Sequence, residues 1–304
     1  MATFDYRDFS HVFGKARPFP NRDFFQETET VRRKFDGALF IDRVLKALGV
    51  GKAKIYPAKT ENTLKALHQQ VCEANMTMHH RLSIFYYVLL DFDYANKRSD
   101  YSEDFAAVSG VPKKYQIFMK GLWLLDRHEF KAALEYISHP SLMPDFADDI
   151  IIAFARHSDD PSLALSYFHT VQPVLKTPQA LTLVFDAMAD SSVAQAFHYS
   201  RTYPEHTRQL LFQRLITSVL DSPAGDEAGQ RGLELISLAL DADEEAWFEE
   251  YLTTDLAKHK RARDTLVMRR IVTGKLEEAV TQKGLGGQWA SILEGMRQGL
   301  GNRA

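Results

Sequence analysis

The chain is poor in cysteine, with Cys72 alone among 304 residues. A single thiol excludes an intrachain disulfide framework and a multi-cysteine metal site, and it suits a reducing compartment. Long apolar runs are missing too. The best, Phe85 to Leu90 and Ile150 to Ala155, fall far short of the roughly 18 residues a membrane span needs. The first residues, Met1 to Asp8, lack the apolar stretch of a secretory signal. A soluble, intracellular protein is therefore expected. A dominant charge is absent as well: 37 basic against 40 acidic residues give −3, so bulk charge does not mark a nucleic-acid binder. Period-two alternation and hairpin dipeptides are not found, which argues against a β-sheet.

What is present is helical spacing. From Thr28 onward apolar residues recur at helical intervals, with punctuation at Pro112, Pro140, Pro144, Pro161, Pro173, Pro178, Pro204 and Pro223. A helix from about Met78 to Ala95 is apolar around most of its circumference, so it should be central. Residues 1–27 differ: Phe4, Tyr6, Phe9, Phe13, Phe24 and Phe25 sit in an irregular, proline-containing stretch. It reads as an aromatic arm that packs either on its own domain or on a partner. Three domains are expected: the arm 1–27, a helical domain 28–273 and a helical or flexible tail 274–304.

Self-comparison adds a repeat. Ala133-Leu134-Glu135-Tyr136, Ala164-Leu165-Ser166-Tyr167 and Ala196-Phe197-His198-Tyr199 recur at offsets of 31 and 32, each followed by a proline. That period is one helix–turn–helix unit. Small Ala133, Ala164 and Ala196 would let helix axes approach; Leu134, Leu165 and Phe197 would fill the space between; Tyr136, Tyr167 and Tyr199 would bury a ring and keep the hydroxyl wet. The expected fold is all-α, an irregular α-solenoid of antiparallel helix pairs without a β-sheet. On the helix after Pro112, Met119 and Trp123 form a second apolar edge, either sandwiched between helices or offered to a partner.

Chemistry-bearing patterns are weak. Gly49-Val50-Gly51-Lys52-Ala53 lacks the spacing, the Ser or Thr and the preceding strand of a phosphate loop. Asp145, Asp148 and Asp149 share one helical turn without an evident facing carboxylate cluster, and a helix's first turn favours acids. Asp243, Glu244 and Glu245 take the same reading. Cys72 reads as a buried, inert thiol, and no nucleophile elbow exists. Lys258, Lys260, Arg261, Arg263, Arg269 and Arg270 make a basic run, read either as a nucleic-acid or localisation patch or as the wet face of a helix. No catalytic residue, metal, cofactor or small-molecule substrate is expected.

The runs Gly121-Leu122-Trp123-Leu124-Leu125-Asp126, Phe130-Lys131-Ala132-Ala133-Leu134, Pro140-Ser141-Leu142 and Asp160 through Phe168 together resemble the helical domain of ELYS-like nucleoporins, over roughly residues 30–265. Animal members add a β-propeller and a basic chromatin-binding tail; this chain looks like the short fungal form. The resemblance implies a structural nucleoporin at the nuclear envelope, attached to the Y-shaped scaffold subcomplex through a large scaffold nucleoporin on a short arm. It brings no catalytic residues, and the lack of a tail argues against direct chromatin binding. The alternatives are a generic helical-repeat adaptor of another complex and a magnesium-dependent helical enzyme. Candidate docking residues are the six aromatics of the arm, with Met119 and Trp123.

Overall fold

The computed structural model describes residues 4–50, 55–96, 100–281, 291–292, 294–296 and 298. Regular structure among the described residues is helical, with no strand. The fold is all-α. The chain divides into two compact units, Met1–Leu181 and Thr182–Ala304.

The first unit contains α1 (Phe9–Phe13), α2 (Arg22–Lys34), α3 (Phe40–Ala47), α4 (Glu61–Glu73), α5 (Met78–Ala95), α6 (Tyr101–Ser109), α7 (Lys113–Leu125), α8 (Phe130–Ile137), α9 (Ala147–His157), α10 (Ser162–Val171) and the start of α11 (Pro178–Ser191). Every residue of α5 from Leu82 to Phe92 is buried, as its all-round apolar surface requires. Helices α4, α6 and α7 pack against it. Each large side chain so buried contributes about 1.5–3 kcal/mol of transfer free energy.

Helix α7 lies closest to α8. Gly121 is the reason: a Cβ built there would stand 2.5 Å from Ile137 Cγ2 and 3.3 Å from the Ile137 backbone nitrogen. Gly121→Ala gains about 1 kcal/mol of helix propensity but forces Ile137 to move. Gly121→Val adds two more methyl groups to the same contact and is expected to lower stability by about 3 kcal/mol, read in a urea melt. A loss below about 0.5 kcal/mol would mean that α8 can simply shift away.

The second unit holds the rest of α11, then α12 (Val193–Ser200), α13 (Glu205–Asp221), α14 (Asp226–Ser237), α15 (Ala242–Thr253), α16 (Ala262–Val272) and α17 (Leu276–Thr281). Helix α13 is its axis. It buries Leu211, Phe212, Leu215, Ile216, Val219 and Leu220 and touches α12, α14 and α15. The glycines at 284–287 and most of the expected tail lie outside the described residues, as do residues 51–54 of the rejected phosphate loop.

The repeated quartets fall on α8, α10 and α12, at the third or fourth residue of each. Ala133, Ala164 and Ala196 are all fully buried at 0% exposure. The second and fourth positions vary. Phe197 and Tyr167 are buried, whereas Leu134, Leu165, Tyr136 and Tyr199 are only half-buried. In α8 the core contact passes to Ile137, one turn beyond Ala133, because i and i+4 share a face.

The expected arm is more regular than its sequence pattern. Asn21 caps α2 by accepting a hydrogen bond from Phe24 N, so Arg22–Lys34 winds into one helix through the expected 27/28 boundary. Asp8 caps the short α1 in the same way.

Candidate functional site

The structure places the arm's aromatics on their own unit. The Phe13 ring meets Phe85 edge-on at 5.7 Å and is fully buried. Phe9 packs on Phe13 and on His68. Phe4 meets Phe105 at 5.8 Å. The Tyr6 carbonyl lies 2.9 Å from His68 Nε2. Phe24 is buried, and its ring carries the Arg127 guanidinium at 4.8 Å. Phe4, Tyr6, Phe9 and Phe25 stay half-buried.

Met119 and Trp123 are internal, at 2% and 9% exposure, so they do not form a docking edge. The physical reason lies under Trp123: its Nε1 donates to Asp91 Oδ1 at 2.8 Å. Asp91 also accepts from the Tyr56 hydroxyl at 3.1 Å. Beside it, Asp126 follows the last residue of α7 and reaches α3. There it accepts from Phe40 N at 2.8 Å and Ile41 N at 3.0 Å, and from the Tyr87 hydroxyl at 2.7 Å. A buried carboxylate thus closes the N-terminus of another helix, where free N–H groups and the helix dipole both favour an acceptor.

Burial pushes Asp91 and Asp126 up to about 7, against the hydrogen bonds from Trp123 and Tyr56 on one and from Phe40, Tyr87 and Ile41 on the other. The ordinary value is 3.8. Between these limits the native state binds more protons than the unfolded chain, so this contribution to stability is complete at the acid end and is lost as pH rises through about 7. A denaturation series on Asp91→Asn is expected to show a shallower loss of stability from pH 5 to pH 7.5 than the parent chain. Parallel pH profiles would overturn the assignment.

Half of the basic run is structural. Arg269 is buried; its Nη1 donates to the Ile236 and Leu238 carbonyls at 2.6 Å each, and it pairs with Glu245. Arg261 donates to the Leu220 and Ser222 carbonyls at 3.0 and 2.7 Å. Arg270 pairs with Glu249 and Glu278. Arg261 and Arg269 satisfy the free carbonyls at the C-termini of α13 and α14. Arg231 does the same for α11, donating to Ala189 O at 3.0 Å. Lys258, Lys260 and Arg263 are exposed.

Two acidic groups also change meaning. Glu244, read as an ordinary first-turn acid, has 0% exposure. It accepts from Arg201 Nε at 2.9 Å and Nη2 at 2.6 Å, from Arg208 Nε at 3.0 Å, and from Asp241 N at 2.9 Å. Burial works to raise its pKa, but these donors hold it below the ordinary carboxylate value. Asp148 accepts from Thr177 N at 2.6 Å at the start of α11, and Asp149 pairs with Arg43. Among the described residues no group of three or more His, Cys, Asp or Glu is placed to hold a metal ion. Burial raises the Cys72 thiol above its ordinary value, which keeps it a weak nucleophile. No described helix is long and apolar enough to cross a membrane.

Sequence reasoning missed Asp91, Asp126 and Glu244. A signal existed for each. Asp91 is a lone acid inside an apolar helix, Asp126 closes the run Leu122–Leu125, and Asp241 with Glu244 three residues on has the capping-box spacing.

The geometry defines an all-α protein whose buried charges join helix to helix. The model of the ELYS family, described as nuclear pore complex assembly, matches residues 38–255, and the chain belongs to that family. A fission yeast protein, uncharacterized protein ely5 of Schizosaccharomyces pombe, is 27% identical over 213 residues, covering 68% of each chain.

Proposed function

We propose that the chain is a helical attachment subunit of the Y-shaped outer-ring subcomplex of the nuclear pore, held by a scaffold nucleoporin on a short arm and supporting pore assembly and nucleocytoplasmic transport. The observation that carries this reading is the family match, which runs from just before α3 to just past α15 and so takes in both units' packed helices. Internal use of the acids and arginines supports it. Several of the groups that suggested chemistry or nucleic-acid binding, Asp148, Asp149, Glu244, Arg261, Arg269 and Arg270, are consumed in tying helices together, which suits a protein that works by presenting surface. Direct chromatin contact and a small-molecule substrate have no place in the proposal. Docking is assigned to the half-buried rings of the arm, Phe4, Tyr6 and Phe9, of which Phe9 rests on the buried Phe13 and Phe4 on Phe105.

The test is localisation with co-purification. Fluorescently tagged full-length protein should mark the nuclear rim, and affinity purification should recover the outer-ring scaffold. Phe4→Ala with Tyr6→Ala should reduce that recovery at least about fivefold while leaving the melting curve within about 2 °C, because both side chains are peripheral to the core. Diffuse cytosolic signal would discard pore attachment in favour of an adaptor for a different complex.

A further inference from the structure

We propose that α2, together with the segment leading into α4, forms a docking groove for an acidic peptide segment of a partner protein. Arg22, Phe25, Glu29 and Arg33 lie at intervals of three or four residues and so share one stripe of α2, and Lys59 joins them from the adjoining segment; all line one shallow groove. Arg22, Arg33 and Lys59 are exposed. Among the described residues none of the three forms an ion pair. The single acid of the groove does not neutralise them, because Glu29 is turned to the buried Arg32. Lys59 lies 6.0 Å from the centre of the half-buried Phe25 ring.

Size and charge together select the occupant. Arg22 and Arg33 are eleven residues apart, about 16 Å along the helix, which five residues of extended peptide would span. Cations at both ends with an aromatic surface between them complement a segment carrying Asp or Glu at its ends and an apolar residue in the middle. A polyphosphate backbone fits less well. Its charges are evenly spaced, so one would fall beside Glu29, whereas a peptide can place an uncharged residue there. Lys258, Lys260 and Lys275, exposed on the second unit, offer no such framing of a ring and serve as a control for net charge. This inference is independent of pore attachment, since it concerns a surface and a ligand class rather than a location.

The experiment uses the full chain and a fluorescein-labelled decapeptide with Glu and Asp flanking one Phe, read by anisotropy. The probe is compared with its Gln/Asn counterpart and with a single-stranded oligonucleotide of equal charge. Arg22→Gln/Arg33→Gln/Lys59→Gln should weaken acidic-peptide binding at least about tenfold, and Lys258→Gln/Lys260→Gln/Lys275→Gln less than about twofold. Raising salt from 50 to 500 mM should weaken binding to the parent chain, because the Debye length shrinks from about 14 Å to about 4 Å and screens the attraction between exposed charges. Equal losses in the two variants, equal binding of the neutral peptide, or tighter binding of the oligonucleotide would each overturn the proposal. The arms separate it from pore attachment: if the groove variant loses peptide but still marks the nuclear rim, the two readings stand apart, and a rim-negative parent chain that binds the peptide keeps this one alone.

Discussion

Asp126→Ala is expected to lower the stability of the first unit by about 3–6 kcal/mol. Three donors converge on this carboxylate, from Phe40 N, Ile41 N and the Tyr87 hydroxyl, and the residue is 3% exposed. Removing the acceptor strands all three, at about 1–3 kcal/mol for each buried group left unsatisfied. It also frees α3 from α7, since the two backbone donors belong to the first turn of α3. With a unit of this size, each kcal/mol moves the melting temperature by about 2–4 °C, so a drop of at least about 6 °C should appear in a thermal melt. Asp126→Asn separates the contributions. It retains one acceptor oxygen but turns an amide N–H toward a donor, so it should fall between the parent and the alanine variant. If alanine costs less than about 1 kcal/mol, the site has let water in and the carboxylate does not join the helices.

The second large effect is at Glu244. Its side chain is 1% exposed, between Arg201 at 33% and Arg208 at 22%. Breaking a buried pair by removing one partner costs about 3–5 kcal/mol, mostly because the other charge is left without compensation. Both arginines can partly rehydrate, so Glu244→Ala is expected at the low end, about 3 kcal/mol, with the loss confined to the second unit. Replacing both arginines by Met along with Glu244→Leu should recover part of it, because the penalty comes from orphaned charge and not from a missing attraction. A triple variant less stable than Glu244→Ala would contradict that account. The pH response differs from that of Asp126: a carboxylate held below its ordinary value stabilises above that value, and its contribution disappears as the solution is acidified.

Helix positions were legible in the sequence because they depend on spacing and capping. The helix read from Met78 to Ala95 has those same bounds in the structure, and Thr60 caps α4 by accepting from Thr63 N. The joining charges were not legible. Glu244 and Arg201 stand 43 residues apart, and Asp126 and Phe40 stand 86 apart. A charged residue in an amphipathic pattern looks the same whether it faces water or the end of a distant helix. That ambiguity is why the run from Lys258 to Arg270 resembled a patch, although Arg261 and Arg269 bind carbonyls inside the unit. In the arm, aromatic density hid two helix starts, because Asp8 and Asn21 act as caps through a single hydrogen bond each.

The arginine contacts to carbonyls have a practical outcome for anyone dissecting the molecule. Arg231 on α14 reaches the end of α11, Arg261 the end of α13, and Arg269 on α16 the end of α14. Each tie passes over at least one intervening helix. A fragment cut after Thr253 would therefore lose more than its last helices: it would bare the ends of α13 and α14 as well, and the remainder would tend to clump. The second unit is best expressed whole, and a gene split within it should complement only when both halves are made together.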